Sequence, residues 1–266
     1  MLGYFGPEGT FTHQALLSLK LDEEATPFPS VAATLDAVRD GTVRAGLVPI
    51  ENSVEGGVSA TLDNLASGKP LVITGEVLLS VQFGLYGRAG TKLADVRRVV
   101  THPHAAAQVR TWLAMHLPSA TVTERGSTAG AAKEVASPDS AFDAAVCAAA
   151  AGEMYGLEPL ASDIADNPDA VTRFILVGRP AAPAARTGHD KTSLVAYMRE
   201  DRSGALLEIL EQFASRGVNL CRIESRPTRE RLGSYPRADK VEPSVEKGFR
   251  ESDYEKAASW LTGLTG

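Results

Sequence analysis

The sequence predicts an α/β fold over residues 1–180, because short apolar segments alternate with segments whose apolar residues recur at helical spacing. The apolar segments are rich in Val, Ile and Leu and have the length of strands. Strands are predicted at residues 2–5, 45–50, 70–86 (one or two strands), 96–100, around 122, 144–148 and 174–177.

The predicted helices begin at residues that suit a first helical turn. Thr10 can cap a helix that runs to Leu21, and Ser30 can cap one that Gly41 ends. Pro103 fits the first position of another helix. Further helices are predicted from Gly56-Gly57 to Ala66, from Gly126-Ser127-Thr128 onward, and from the end of the 144–148 strand to Tyr155.

A change in composition separates two domains. Residues 181–190 are rich in Pro and Ala and show neither helical nor strand periodicity, which predicts a linker between domains 1–180 and 191–266. The second domain opens with a strand at 192–198, a helix that Ser203 caps and Gly217 ends, and a strand at 218–224. This module of about 40 residues is too small to be a complete domain by itself.

Composition excludes several classes of protein. The chain has 266 residues, a net charge of −6 and a pI of about 5.5, which argues against nucleic-acid binding. It shows no signal peptide and no apolar run of about 20 residues, so we expect a cytoplasmic protein without a membrane span. Cys147 and Cys221 are far apart, without metal-ligand spacing, and we expect buried, reduced thiols.

Three predicted helix starts carry small or hydroxyl-bearing residues, at Gly9-Thr10, Ser53–Gly57 and Ser127-Thr128. A helix start offers unpaired backbone N–H groups and a partial positive charge, which suit a carboxylate or a phosphate. Ordinary N-capping explains any one of these sites better than a ligand does, and the two explanations become equal only for the three sites taken together. None of them matches the P-loop or the dinucleotide-binding pattern, and no nucleophile elbow is present.

Polar residues also follow or enter predicted strands. Glu51-Asn52-Ser53 comes directly after a buried strand, so this run either faces solvent or lines a cleft. His102 and His104 flank Pro103, and a surface pair of histidines explains them better than a metal site. Arg173 enters an apolar strand, where it could clamp a carboxylate or form a surface salt bridge.

Five stretches in order resemble prephenate dehydratases over roughly residues 1–180. They are YFGPEGTFTHQAL (4–16), GLVPIENSVEGGVSATLDNL (46–65), THPHAAAQVRTWL (101–113), GSTAGAAKEV (126–135) and AVTRFILVG (170–178). Residues 191–227 resemble the ACT regulatory domain of the same family, with ligand-binding motifs at 204–206 and 224–227.

The resemblance implies a fold and a reaction. The fold is a two-lobed catalytic region like type II periplasmic binding proteins, with the active cleft between the lobes, followed by a small α+β ACT domain of order βαββαβ. The reaction converts prephenate to phenylpyruvate with loss of carbon dioxide and the ring hydroxyl, without a cofactor or metal. The ACT domain would bind phenylalanine and lower activity, and the assembly would be a homodimer or homotetramer.

The resemblance also implies roles for individual residues. Thr172 would donate a proton or hydrogen bond to the departing hydroxyl, with Arg173 and Phe174 as the other catalytic residues. Predicted substrate-binding residues are Thr10, Glu51, Asn52, Ser53, His102, Ser127 and Thr128. Predicted allosteric residues are Gly204, Ala205, Leu206, Asn219, Glu224 and Ser225.

A threonine hydroxyl is a weak acid near neutral pH, which leaves the proton donor open. Aromatisation could make a hydrogen bond from Thr172 sufficient, or Thr172 could relay a proton from water. Alternatively Glu51 or His102 is the acid and Thr172 orients the hydroxyl.

The chain departs from the family in two places. The tail from residue 236 lacks alternation and contains Pro236 and Pro243, so the last ACT strand is in doubt. Ala170 stands where many relatives have Asn two residues before the catalytic Thr, with Asn167 nearby. Two other functions stay open: dehydration of arogenate, and a non-catalytic sensor of anionic aromatic metabolites.

Overall fold

A computed structural model describes residues 1–181, 188, 191–196 and 202–225. In these residues the strands are β1 (Leu2–Phe5), β2 (Ala25–Phe28), β3 (Ala45–Asn52), β4 (Gly56–Gly57), β5 (Val72–Ser80), β6 (Gly84–Gly87), β7 (Arg98–Thr101), β8 (Thr121–Glu124), β9 (Ala144–Cys147), β10 (Glu158–Ala161) and β11 (Val171–Gly178). The helices are α1 (Phe11–Ser18), α2 (Val31–Asp40), α3 (Ser59–Leu65), α4 (Pro103–Gln108), α5 (Arg110–His116), α6 (Thr128–Ala136), α7 (Ala149–Met154) and α8 (Ala205–Ala214), with a 3₁₀ turn at Leu93–Asp95.

Two sheets form the α/β fold. The first sheet has the order β2-β1-β3-β11-β5, and β4 pairs with β3. The second sheet has the order β10-β6-β9-β7-β8. Strand β1 runs parallel to β2 and β3, and β7 runs parallel to β8 and β9, whereas β6 is antiparallel to β9 and β10. The predicted α/β class is confirmed.

The chain divides into two compact units. Met1–Asn64 and Gly75–Val177 form the first, and Leu65–Thr74 with the described residues from Gly178 onward belong to the second. Within the first unit, we call the first sheet with α1 and α2 the first lobe, and the second sheet with α4 to α7 the second lobe.

Local capping accounts for several helix boundaries. Ser30 accepts a hydrogen bond from the Ala33 N–H, and Gly41 ends α2 with a φ of 87°, as predicted. Helix α1 begins after Thr10 but ends at Ser18, because Lys20 takes a φ of 50° that no longer fits a helix.

Each lobe has its own apolar core, and one aromatic residue joins them. The first core packs Leu2, Leu16, Leu47 and neighbouring residues, and the second packs Leu85, Val99, Val109 and neighbouring residues. Phe11 lies against both cores and meets Phe83 edge-to-face at a centroid distance of 5.3 Å. The two lobes therefore share apolar contact within the first unit.

Some predicted elements are wrong in detail. Gly56-Gly57 forms the short strand β4 rather than a helix start, and α3 begins at Ser59. Strands β2 and β10 were not predicted, because their sequences contain no run of apolar residues and their positions are exposed or only partly buried. The 70–86 region contains two strands, and β11 begins at Val171, so Thr172 lies inside the strand.

The described residues of the second unit contain one helix after the linker. The predicted helix is present as α8, but its N-cap is Gly204 rather than Ser203 and it ends at Ala214, before Gly217. Residues 191–196 and 218–225 form no strand in the structure. A strand needs a hydrogen-bonded neighbour, which an apolar pattern alone does not provide. The predicted last strand and the atypical tail from residue 236 lie outside the described residues. No helix of the described part is long and apolar enough to cross a membrane.

Candidate active site

Thr172 is a buried polar residue near the start of β11, with 8% of its surface exposed. Asn52, at the end of the neighbouring strand β3, donates a hydrogen bond from Nδ2 to Thr172 Oγ1 over 2.8 Å. The two residues lie 120 positions apart in the sequence. Strand pairing therefore assembles a polar pair from two distant motifs.

The backbone fixes which end of the Asn52 amide meets Thr172. Asn52 Oδ1 accepts hydrogen bonds from the N–H groups of Val54, at 2.8 Å, and Glu55, at 3.1 Å. Backbone N–H groups are donors only, so this end of the amide must be the oxygen. The NH₂ end then faces Thr172, whose oxygen must accept. The hydroxyl proton of Thr172 is left for a different acceptor.

Ser53 fastens the same turn to β11. Its N–H donates to the Val171 carbonyl over 2.9 Å, and its Oγ accepts from the Val171 N–H over 2.9 Å. These bonds join the turn after β3 to the residue that precedes Thr172. They hold the backbone on both sides of the Asn52–Thr172 pair.

Glu55, in the turn between β3 and β4, reaches the second lobe. Its Oε1 accepts a hydrogen bond from Gln108 Nε2 over 2.9 Å, and its Oε2 lies 2.5 Å from His104 Nδ1. Gln108 ends α4 and is 8% exposed, and its Oε1 is buried without a hydrogen-bond partner among the described residues. A buried amide oxygen in that state is costly unless something donates to it.

His102 caps α4, because its Nδ1 accepts from the His104 N–H over 3.2 Å. Burial lowers the pKa of His102, the nearby His104 lowers it further, and Glu55 and Glu124 oppose the shift. With Nδ1 accepting, the neutral ring carries its proton on Nε2. A lowered pKa reduces the imidazolium fraction near neutral pH, which weakens His102 as the acid.

Thr10 caps α1 and lies in a small network of its own lobe. Its Oγ1 accepts from the His13 N–H at 3.4 Å and donates to the Pro7 carbonyl at 2.9 Å. The Gly9 N–H donates to His13 Nδ1 over 3.2 Å, and the His13 ring stacks on Tyr4. Burial lowers the pKa of His13, with Glu8 opposing the shift.

Ser127 and Thr128 form the start of α6 in the second lobe. Ser127 Oγ accepts from the Gly130 N–H over 2.9 Å, and Thr128 is 9% exposed. A Cβ on Gly130 would lie 2.8 Å from Ser127 Oγ, so a larger residue there would require the capping side chain to shift. This capping bond leaves other N–H groups of the first turn for a ligand.

Arg173 and Phe174 follow Thr172 along β11, and their side chains lie in different surroundings. Side chains alternate along a strand, so Arg173 faces away from Thr172, and its Nε forms an ion pair with Glu76 Oε2 at 2.6 Å. Phe174 is 2% exposed and packs in the first core with Tyr4 and Leu47. The structure shows where these two side chains lie, and their catalytic roles stay predictions.

Two other predicted positions are occupied differently from the family pattern. Glu51 pairs with Gly57 through the β3–β4 ladder and is partly buried. Ala170 is fully buried in the second core, and Asn167 Oδ1 accepts from the Asp169 N–H over 3.0 Å. Asn167 therefore uses its amide oxygen within its own turn.

The predicted allosteric residues lie around α8 in the second unit. Gly204 precedes the helix with a φ of 89°, and Ala205 and Leu206 form its first turn. Asn219 Nδ2 lies 3.8 Å from Cys221 Sγ, and Glu224 forms an ion pair with Arg222. Ser225 is the last described residue of this stretch.

The structure describes both cysteines and shows them in different surroundings. Cys147 is buried, and burial raises the pKa of its thiol to about 12, whereas Cys221 is exposed. The expectation of a buried thiol is thus correct for Cys147 and wrong for Cys221. Among the described residues no group of three His, Cys, Asp or Glu side chains could hold a metal ion.

Comparison with known proteins identifies the family. A family model for prephenate dehydratase matches residues 2–182. The chain belongs to the prephenate dehydratase family. A prephenate dehydratase of Mycolicibacterium vanbaalenii is 44% identical, and the match covers 98% of this chain and 91% of that protein.

Solved structures of similar proteins carry two different activity names. The crystal structure of an Arthrobacter aurescens prephenate dehydratase in complex with L-Phe is 47% identical, has a TM-score of 0.88, and covers 99% of this chain and 86% of that chain. A structure described as GqqA, a novel type of quorum quenching acylase, is 28% identical, has a TM-score of 0.78, and covers 98% of this chain and 93% of that one.

The structure adds residues that sequence reasoning did not select from the family motifs. Glu55 and Gln108 lie within the quoted stretches 46–65 and 101–113, and His13 lies within 4–16. Gln108 carried little signal, because an amide side chain in a predicted helix is usually exposed. Glu55 carried none, because a glutamate beside two glycines resembles an ordinary exposed turn.

Proposed function

We propose that this chain catalyses the decarboxylating dehydration of prephenate to phenylpyruvate, as a carbon–oxygen lyase of L-phenylalanine biosynthesis. Family membership supports the reaction, and the Asn52–Thr172 hydrogen bond is the single observation that carries the mechanism. It presents a buried hydroxyl whose oxygen already accepts, so that its proton can be offered to a substrate oxygen.

The reaction requires the protein mainly to position the substrate. The bond between the ring and its carboxylate breaks and releases carbon dioxide, and that electron pair completes the aromatic ring. The bond between the opposite ring carbon and the hydroxyl breaks, and the hydroxyl takes one proton and leaves as water. No redox cofactor, metal or covalent nucleophile is needed for this balance. A hydrogen bond to the leaving oxygen strengthens as negative charge develops there.

Thr172 is proposed as the group that contacts the departing hydroxyl. The lowered pKa of His102 argues against the alternative in which His102 is the acid. Asn52 is proposed to polarise Thr172 rather than to bind substrate directly, and Ser53 to fix the turn that carries Asn52. Arg173 is proposed to hold β11 in place through its ion pair with Glu76, and Phe174 through its packing in the core of the first lobe.

The two carboxylates of prephenate require donors, and the first unit offers several. We propose that the helix starts at Thr10 and at Ser127 and Thr128 supply backbone N–H groups, as anion sites at helix termini do. Gln108, with a buried amide oxygen that lacks a partner in the described chain, is proposed as an acceptor for the substrate hydroxyl. Glu51 directly precedes Asn52 in β3, and we propose that it borders this site.

Regulation by phenylalanine is part of the proposal. The similar Arthrobacter aurescens protein was crystallised with L-Phe, and residues 191–266 are proposed to form an ACT domain after a linker at 181–190. Gly204, Ala205 and Leu206 at the start of α8, with Asn219, Glu224 and Ser225, would line the phenylalanine site. A cytoplasmic homodimer or homotetramer is proposed, as the family resemblance implies.

Turnover tests the reaction directly. Purified protein is mixed with prephenate, and phenylpyruvate is followed by its absorbance. Arogenate, which bears an amine where prephenate has a ketone, is assayed in parallel by the phenylalanine that its dehydration would form. Faster turnover of prephenate supports the proposal, and faster turnover of arogenate assigns the second substrate instead. Saturable binding without turnover of either acid would support the sensor. Because fold does not determine activity, the acylase name of a 28% identical structure makes this measurement necessary.

The role of Thr172 is tested by its removal. Thr172→Ala is expected to lower kcat by about 100-fold while KM changes less than about threefold, because the lost bond is strongest in the transition state. Thr172→Ser keeps the hydroxyl and serves as the matched control. A fall in kcat of only about twofold or threefold for Thr172→Ala would transfer the role to another residue.

A further inference from the structure

Glu55 connects groups that belong to opposite lobes of the first unit. Its side chain bonds Gln108 Nε2 and His104 Nδ1, both in α4 of the second lobe. Its own N–H donates to Asn52 Oδ1, and Asn52 Nδ2 donates to Thr172 Oγ1. One residue therefore contacts both the Asn52–Thr172 pair and Gln108.

The two contacts of the Glu55 carboxylate are unequal. The His104 side chain is 69% exposed, and ion pairs with exposed groups contribute little because water screens them. Gln108 is 8% exposed, and a hydrogen bond from a buried amide to a carboxylate is among the strong ones. The contact with Gln108 is the one that matters energetically.

That contact also decides how the Gln108 amide is turned. A carboxylate accepts and does not donate, so the NH₂ end of Gln108 faces Glu55. The oxygen of the amide is then the end that lies buried without a partner in the described residues. Among the residues that the structure describes, the bond to Glu55 is the one hydrogen bond of the Gln108 side chain, so it is the contact that selects the orientation of the amide.

We propose that Glu55 is a positioning residue, which aligns the Gln108 amide with the Asn52–Thr172 pair across the two lobes. This inference rests on the proposed function, in which Gln108 and Thr172 contact the same substrate. Glu55 acts through the two side chains it holds and touches no reacting atom. Small displacements of positioned groups lower rates strongly, up to about 100-fold for about 1 Å.

The experiment compares four variants in prephenate turnover. Glu55→Ala removes both contacts and is expected to lower kcat about tenfold, with KM changed less than about threefold. Glu55→Gln keeps a carbonyl that can accept from Gln108 and is expected to retain kcat within about threefold of the wild type. His104→Ala removes the exposed contact with Glu55 and the ring contact with His102 but keeps the Gln108 contact, and it is expected to change kcat by less than about twofold.

Glu23→Ala is the matched control for a lost carboxylate. The Glu23 side chain is 29% exposed, like that of Glu55, but its partners Arg44 and the N-terminus lie in its own lobe. Its kcat should stay within about twofold of the wild type. The inference is overturned if Glu55→Ala matches Glu23→Ala, or if Glu55→Gln loses as much activity as Glu55→Ala.

Failure of the proposed function is distinguishable from failure of this inference. A wild type that does not turn over prephenate contradicts the function, and calorimetric binding of phenylpyruvate then replaces kcat as the measurement. Binding about tenfold weaker in Glu55→Ala, restored by Glu55→Gln, would still support the positioning role. Equal binding by all four variants would overturn it.

Discussion

The start of α6 and the turn after β3 are both polar, but they use their side chains differently. Ser127 bonds the N–H three residues ahead, within its own helix, as Ser30 does in α2. Asn52 and Ser53 bond residues 120 and 118 positions away in β11. A local cap serves its own helix, whereas a side chain that leaves its segment holds another element in place.

The difference teaches where to look for function. A capping bond explains a serine fully, so the serine needs no ligand to account for it. The long-range bonds of Asn52 and Glu55 instead orient groups that are not themselves fully satisfied, namely the Thr172 hydroxyl and the Gln108 amide. Buried polar networks of this kind are costly when incomplete, which makes them candidates for substrate contact.

The largest effect is expected from a substitution that reverses the direction of the hydrogen bond between residue 52 and Thr172. Asn52→Asp keeps the oxygen that accepts from the Val54 and Glu55 N–H groups, but its second oxygen cannot donate to Thr172. The Thr172 hydroxyl must then donate to the introduced carboxylate, and its proton is lost to the substrate. We expect kcat to fall by about 100-fold, as in Thr172→Ala, measured by phenylpyruvate absorbance.

The control for this reversal asks whether the carboxylate acts only through Thr172. In the double variant that combines Asn52→Asp with Thr172→Ala, the two losses should not add, because each removes the same donated proton. A double variant about 100-fold worse than either single variant would contradict the shared mechanism. Thermal melting of each variant reports whether the turn after β3 stays folded.

A milder test compares the starts of α2 and α6, which both carry a capping serine. Ser30→Ala and Ser127→Ala each lose one capping bond and should each lower the free energy of unfolding by about 1 kcal/mol. Only Ser127→Ala should raise KM for prephenate, by roughly threefold to tenfold, because α6 is proposed to face the substrate and α2 is not. Denaturant unfolding and steady-state kinetics on both variants provide the comparison.

Equal KM values for the two capping variants would remove the start of α6 from the proposed site. A rise in KM for Ser30→Ala as well would mean that general loosening of the first unit, rather than a lost substrate contact, explains the effect.

Features that depend on local contacts could be predicted from the sequence, whereas features that depend on distant contacts could not. The α2 helix from its Ser30 cap to Gly41 was predictable, because every interaction that sets its ends is local. The helix expected at Gly56-Gly57 is the short strand β4 instead, because pairing with β3 outweighs local preference. The Glu55–Gln108 contact was not predictable, because no local pattern states which lobe a turn residue will touch.

The site residues show the same limit. The family motifs selected Thr172, Asn52 and Ser53, and the structure brings these three together. They also selected Arg173 and Phe174, whose side chains lie in an ion pair and in the core. Adjacent residues in a strand face opposite sides of the sheet, which turns Arg173 away from Thr172, whereas Phe174 shares the face of Thr172 but is buried in the core. A contiguous motif therefore does not imply a contiguous site.

The smallest expected effect concerns acid stability and the two histidines that lie in these networks. Burial lowers the pKa of His13 and of His102, so their protonation favours the unfolded chain. Each contributes stability above its ordinary pKa of about 6.5, and this contribution declines as pH falls below that value. The free energy of unfolding should therefore decrease between about pH 7 and about pH 5, as measured by denaturant titration.

His102→Asn sharpens this prediction, because asparagine can still cap α4 but cannot titrate. The pH dependence of its unfolding free energy should be shallower than that of the wild type over the same range, while its stability near neutral pH stays within about 1 kcal/mol. An unchanged slope would show that His102 protonation is not linked to folding.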